Sequence, residues 1–295
     1  MTGKRMVCQV HGCSLLVVML LGVTLVTAED ASKPRVGLKE PVLHVAKSTS
    51  PNFHPLDGAL ELARKGLDTV HTSIADYTCT LVKRERVGGT LGDHEYMLVK
   101  VRNRRMKDGK VAVPFSVYMY FVKPASVKGR EVMYVEGANS DKMIAHEGGT
   151  AGKYLPTVWI KPSGAIAMRG NRYPITEVGI ENLILKLIER GEQDKTRGLG
   201  NCEVTYHKDA KINGRTCTLM QIKHLHPAPN LDFHMAQIFI DDELQVPIRY
   251  AAFGFPSKEG EELPVIEEYT YLNLKLNVGL SDTDYDYASK KYAFQ

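Results

Sequence analysis

Val113–Val122 reads VPFSVYMYFV, and this run decides the fold. Side chains alternate between the two faces of a strand. Phe115, Val117, Met119 and Phe121 therefore share one face, with Tyr118, Tyr120 and Val122 on the other. Both faces are apolar or aromatic, so the strand belongs to a sheet covered on both sides.

The same period continues outward. Upstream, Tyr77–Val87 and His94–Arg102 read as strands, with Gly88-Gly89 and Gly92-Asp93 between them. Met97, Val99 and Val101 share a face opposite Tyr96, Leu98, Lys100 and Arg102. Downstream, Glu131–Glu136 and Lys142–His146 continue a meander. Leu56, Leu60, Ala63, Leu67, Val70 and Ile74 recur at intervals of 4, 3, 4, 3 and 4, which predicts an amphipathic helix from Pro55 to Ala75. Leu155–Arg172 holds Pro156, Pro162, Gly164 and Gly170 around Trp159 and Ile160, and reads as an irregular, partly apolar loop. Ile175–Arg190 is a second amphipathic helix, with Gly191 as its stop. Five strands follow: Glu203–Lys208, Thr216–His224, Met235–Asp241, Ile248–Phe253 and Val265–Leu276.

The order predicts one α+β domain over 55–295. Its core is a large curved antiparallel sheet, an unclosed half-barrel of about 10–11 strands with an N-terminal helix and a plugging helix. One face takes helix 55–75. The other forms a trough. Either the loop 155–172 and the helix 175–190 fill it as ordinary core, or it holds something apolar. Phe115, Val117, Met119 and Phe121 are the candidate lining, with Met97, Val99 and Met133 beside them. Methionine suits an adaptable apolar surface. The alternation does not fix which face of the central strand looks into the trough.

The N-terminus gives the compartment. Lys4 and Arg5 precede the uncharged run Ser14–Val26 (SLLVVMLLGVTLV), and Val26-Thr27-Ala28 offers a cleavage site before Glu29-Asp30. This is the pattern of a secretory signal peptide, with an uncleaved anchor as the alternative. Residues 1–28 are the expected signal and 29–54 a flexible leader. The exported chain would be periplasmic or secreted, with no transmembrane segment after cleavage. It would carry 36 basic and 34 acidic residues, a balance that gives no general pull toward nucleic acid. Cys79, Cys202 and Cys217 remain in it, an odd number that excludes a fully paired framework. With a two-residue turn at Asn213-Gly214, Cys217 would face Ala210 and not Cys202, so buried single thiols are expected.

Catalytic signatures are scarce. The sequence holds neither Gly-x-Ser-x-Gly nor His-Glu-x-x-His. Gly148–Lys153 lacks the first glycine and the Ser or Thr of a phosphate loop. Asp282, Asp284 and Asp286 alternate like a calcium loop, but Tyr287 and Ala293 stand where glycine and glutamate are needed; an acidic, solvated tail is expected. His207, His224, His226 and His234 have generic spacing, which favours surface or loop histidines over a metal site. Lys83–Arg86 and Lys100–Lys110 are basic stretches, read as a charged rim at strand ends over an anion-binding patch. No cofactor or metal is expected, and no catalytic residue.

Several separated motifs carry a family resemblance. Tyr77–Arg86 (YTCTLVKRER), Pro114–Pro124 (PFSVYMYFVKP), Lys128–Gly137 (KGREVMYVEG), Tyr173–Ile184 (YPITEVGIENLI) and Glu268–Leu280 (EYTYLNLKLNVGL) resemble the secreted family called domain of unknown function 1571, over residues 56 to 294. That family is in turn distantly similar to the LolA, LolB and RseB group. The carriers of this second likeness are Phe121-Val122-Lys123-Pro124 and Ile240-Asp241 through Pro247. The resemblance implies an unclosed barrel of about eleven strands plugged by helices, and a protein that binds or senses lipoprotein acyl chains. No ligand-contacting residue of LolA is carried over. The expected function is non-enzymatic binding of lipid or an acylated protein in the cell envelope. The alternatives are an interaction module that meets an envelope protein, and an exported hydrolase built around His224, His226 and His234.

Overall fold

The apolar stripe beginning at Leu56 folds as helix α1 (Asp57–Ser73), burying Ala59, Leu60 and Val70. Asp57 accepts the His54 backbone N–H at 3.0 Å at its start. Its last turn would leave carbonyls without partners. Arg105 supplies them, donating from Nη1 to the His71 carbonyl at 2.6 Å and from Nη2 to that of Ile74. The second long helix, α2, spans Ile180–Thr196. Its first backbone N–H, that of Ile180, donates to the Tyr77 hydroxyl at 2.9 Å. Gly191 is not its stop, and the helix runs a further turn. A Cβ on Gly191 would lie 2.8 Å from Leu60 Cδ2. The glycine therefore serves the close crossing of α1 and α2.

The structure, a computed structural model, describes residues 43–44, 54–152, 154–196, 202–229, 231–258 and 260–294. The expected signal peptide lies outside the described residues, as does nearly all of the expected leader. The strands are β1 (Leu43–His44), β2 (Asp76–Val87), β3 (Thr90–Leu91), β4 (Glu95–Arg102), β5 (Arg105–Lys107), β6 (Lys110–Val113), β7 (Ser116–Lys123) and β8 (Glu131–Val135). They continue with β9 (Met143–His146), β10 (Val158–Ile160), β11 (Cys202–Ile212), β12 (Arg215–His224), β13 (Met235–Asp241), β14 (Pro247–Phe253) and β15 (Val265–Leu276). One antiparallel sheet runs β1-β11-β12-β13-β14-β15-β2-β4-β7-β8-β9-β10, with β3 paired beside it on β2 and β5–β6 a separate hairpin. This is the unclosed half-barrel expected from the alternation. The loop 155–172 is less irregular than its prolines suggest, because it contributes the edge strand β10.

Both helices lie on the same face of the sheet, contrary to the expectation that helix 55–75 would cover one face and leave a trough on the other. Val70 and Ile74 of the α1 end, and Ile180 and Ile184 of α2, share one core with Met97, Val99, Val101 and Val117. The physical reason is the length of the Tyr77-bearing inner face. The apolar inner face runs from Val204, Met220 and Ile238, which take Leu56 and Leu60 at the start of α1, to β2, β4 and β7, so it is wide enough for two crossed helices, and each large buried side chain there contributes about 1.5–3 kcal/mol.

The outer face is covered by the C-terminal segment. Tyr285, Tyr292 and Phe294 pack on Tyr118, Met133 and Ile144, with the Tyr118 and Tyr292 rings 4.6 Å apart. Asp282 pairs with Arg102 at 2.6 Å and Asp284 with Lys100 at 3.0 Å. The segment is thus docked through its aromatics and Asp284, while Asp282 and Asp286 stay exposed, as its acidic composition suggests. Its aromatics need cover, and Asp282 and Asp284 find cations on β4. Most of the two basic stretches likewise hold internal partners. Arg84 and Arg86 bond backbone carbonyls, and Arg104 forks onto Glu136.

Further along the outer face, Val82, Leu219, Phe239 and Leu272 form a separate cluster. The β11–β12 turn reaches back so that Asn213 donates to Asn273 on β15 at 3.4 Å. Cys217 faces Ala210 across this hairpin, as the two-residue turn requires. Cys79, Cys202 and Cys217 are buried thiols. Burial pushes Cys202 up to about 11 and Cys217 up to about 12. Buried polar groups pin this region. Arg249 donates to Thr270 and to Glu268, both at 2.6 Å, and Glu268 contacts His94 at 2.9 Å. Burial pushes the Glu268 carboxyl up, but the His94 hydrogen bond and the Arg249 charge outweigh it and hold the group at about 2.

Two outcomes are expected. Gly191→Val should lower stability by about 1–3 kcal/mol by overpacking the α1–α2 crossing, read as a drop in the thermal midpoint. Glu268 ionises more readily folded than unfolded, so its contribution is present above pH 4.5 and is lost as pH falls toward 2. Replacing it by Gln should flatten the acid limb of a stability–pH profile relative to wild type.

Candidate functional site

The inner face is not filled by the two helices. A cavity of about 640 Å³ lies between the sheet and the segment that runs from loop 158–173 into α2. It falls within the range of small-ligand sites. Its floor comes from alternate residues of adjacent strands: Leu81 of β2, Met97 of β4, Met119 and Phe121 of β7, Val132 of β8 and Met143 of β9. The register makes this surface continuous, because Leu81 faces Met97, Met97 faces Phe121, and Met119 faces Val132. The cover includes Ile166, Ile175, Val178 and Leu183.

Polarity changes along the strands in one direction. On β2 the inward sequence runs Leu81, Lys83, Glu85; on β15 it runs Tyr271, Tyr269, Glu267; on β4 Met97 is followed by Glu95. Lys83 faces both Glu95 and Tyr269, and Glu85 faces Glu267. Charged side chains on an apolar inner face need partners, and each has them. Glu267, 1% exposed, accepts from Arg172 Nε at 2.7 Å and from the Tyr173 hydroxyl at 3.2 Å. Glu85 accepts from the Tyr269 hydroxyl and from the Arg172 backbone N–H. Lys83 pairs with Glu95 at 3.0 Å. Arg190 of α2 reaches into this end, with Tyr250 and Glu267 each 3.4 Å from Nη1. Burial, then the Glu267 carboxylate, pushes the Tyr173 phenol up to about 12, so it is a neutral donor at ordinary pH.

Of the seven lining candidates, Met97, Met119 and Phe121 line the cavity. Val99, Phe115 and Val117 lie on the same inner face, further along the strands where the helices bear directly on the sheet. Val101, beside them, sits under the backbone of Gly179 at the entry to α2. Met133 does not join them. It pairs with Tyr118 across β7–β8, so it shares the outward parity of Tyr118 and packs under the C-terminal segment. The charged end of the cavity was not singled out from sequence. Its signal was present in the inward parity of Lys83 and Glu85 behind Leu81.

His224 and His234 are neighbours, joined by a backbone hydrogen bond of 2.8 Å, and His224 Nε2 lies 3.4 Å from Asp194. His224 is buried against the Phe233 ring, and His234 against the Phe255 ring, while His226 is exposed. Among the described residues, no three His, Cys, Asp or Glu side chains are placed to hold a metal ion. Nor, among those residues, is any helix long and apolar enough to cross a membrane.

Comparison with known proteins gives the family. A model described as "Protein of unknown function (DUF1571)" matches residues 74–294, and the chain belongs to that family. No curated protein matches the chain. Solved structures are similar at low identity. A DUF1329 family protein from Desulfovibrio piger is 13% identical, with 79% of this chain and 98% of that chain covered and a TM-score of 0.37. A LolA superfamily protein from Nitrosomonas europaea is 9% identical, with 77% and 96% covered and a TM-score of 0.31. The Pseudomonas aeruginosa MucA/MucB complex matches at 10% identity, over 77% of this chain and 60% of that chain, with a TM-score of 0.41.

Glu267→Ala would leave Arg172 and Arg190 facing each other in a buried site without their anion. The expected loss is about 3 kcal/mol or more, measured by urea unfolding.

Proposed function

We propose that this member of the DUF1571 family is an exported, non-enzymatic binding protein that takes the acyl chain of a lipid or lipoprotein into its inner-face cavity. The observation that carries the reading is the cavity itself. A floor of Leu81, Met97, Met119, Phe121 and Val132 lies open under a cover of apolar side chains, where an ordinary core would be filled. Each acyl methylene placed there would contribute roughly 0.8 kcal/mol. The N-terminal signal pattern supports a periplasmic or secreted location, with residues 1–28 removed, a leader over 29–54 and the half-barrel over 55–295.

A second reading, an interaction module for an envelope protein, is favoured by one observation. Tyr154, Leu155, Trp159 and Ile166 of the covering loop are exposed, at 84%, 47%, 43% and 68%. Exposed apolar patches mark interaction surfaces.

Native mass spectrometry of the mature chain from a periplasmic fraction, followed by lipid extraction, separates the two. The expected outcome is a stoichiometric adduct that releases fatty-acyl species. Ala145→Trp, which fills the cavity beside Val132, should reduce occupancy about tenfold by excluding two methylenes' worth of contact. A clean apo mass that persists after incubation with phospholipid and acylated peptide would overturn the acyl reading and leave the interaction module.

A further inference from the structure

The two ends of the cavity differ in chemistry, and the difference orients a ligand. At the floor end the strand side chains Leu81, Met97, Met119, Phe121 and Val132 offer carbon and thioether, and the one charged pair there, Arg130 with Glu147 at 3.0 Å, is closed on itself. At the other end, Glu267 and Glu85 already accept hydrogen bonds from Arg172, Tyr173 and Tyr269, and Lys83 is engaged by Glu95 and Asn171. The carboxylates are thus held by donors of the protein itself, whereas one guanidinium keeps donors to spare. A guanidinium carries five N–H donors. That of Arg190 makes one short hydrogen bond, from Nη2 to the Tyr173 hydroxyl. Its Nη1 contacts to Tyr250 and Glu267 are both long, at 3.4 Å. Its Nε lies 3.6 Å from Asp232, beyond hydrogen-bond reach. The side chain is 16% exposed and belongs to the cavity lining.

We infer that Arg190 is the head-group residue of the cavity: it donates to the carbonyl oxygen of an acyl ligand, whose chain then runs along Leu81 and Met97 toward Met119. The inference rests on the acyl-binding reading and adds to it the polarity and direction of the ligand. The shared chemistry is an acyl carbonyl oxygen, supplied either by a free fatty-acid carboxylate or by an ester-linked chain. Arg190 stands on α2, which covers the cavity, so ligand and cover would be joined by the same hydrogen bonds. The lining itself favours an acceptor of low charge. Lys83, Arg130, Arg169, Lys186 and Arg190 are balanced there by Glu85, Glu147, Glu177, Glu189 and Glu267.

The test is displacement of a fluorescent fatty acid from the mature chain by dodecanoic acid, methyl dodecanoate and dodecane. The wild type should bind the acid and the ester more tightly than the alkane. Arg190→Gln should weaken acid and ester about tenfold, the value of one charge-assisted hydrogen bond, and leave dodecane unchanged. Arg190→Lys keeps a charged donor beside Glu267 on a shorter reach, and should show a smaller loss, confined likewise to acid and ester. A larger loss for the acid than for the ester would identify the carboxylate as the source; equal losses would identify the ester. Equal binding of all three by the wild type, or equal loss of all three in both variants, would overturn the assignment while leaving acyl binding intact. If none of the three displaces the probe from the wild type, the acyl reading falls and this assignment with it.

Discussion

A strand that is apolar on both faces must be covered on both, and this constraint organises the whole molecule. The β7 side chains Val117, Met119 and Phe121 face inward, while Tyr118 faces outward. Two helices answer the first demand and the C-terminal segment answers the second. The inner cover is fixed at a few points where polar geometry is strict. The Tyr77 hydroxyl receives the first N–H of α2, and Arg105 holds the carbonyl end of α1. The glycine at position 191 lets the two helices approach. With both helices placed this way, the end of the trough toward β8 and β9 is roofed by a loop, and a cavity persists there.

The same strands that build the apolar floor also build the polar end. An antiparallel register converts a local change along each strand into one boundary across the sheet. Leu81 to Glu85, Met97 to Glu95 and Tyr271 to Glu267 all turn polar at the same level. The buried carboxylates are tolerable because donors from the covering segment, Arg172, Tyr173 and Arg190, complete them. That arrangement ties the cover to the sheet through charge as well as through packing. It also gives the cavity an amphipathic character that a purely apolar core lacks.

Much of this was legible in the residues, and the misses have physical causes. The alternation in Phe115–Phe121 and Met97–Val101 placed those side chains correctly on one face, because parity within a strand is local. The parity of Met133 relative to them is not local; it depends on its pairing with Tyr118. Gly191 followed a helical pattern and read as a stop, yet its role is a crossing with a helix more than a hundred residues earlier. Asp284 reads as solvated because its cation, Lys100, lies on a distant strand. Lys83 and Glu85 stand within a stretch that reads as basic surface, since nothing nearby in sequence announces Arg172 or Tyr269.

The two helices, the long strands, the antiparallel α+β class, the two-sided burial of the central strand and the family are all legible in the residues alone. These depend on periods of two and of three to four residues and on contiguous motifs, all of which are written within a few residues of one another. That both helices share one face, that a cavity survives beneath them, and that Glu85, Glu267, Arg172 and Arg190 meet at its end follows only from the folded arrangement. Each of those facts is a matter of register and crossing between segments far apart in the chain, where the energy that selects the arrangement exists only once the partners are in contact.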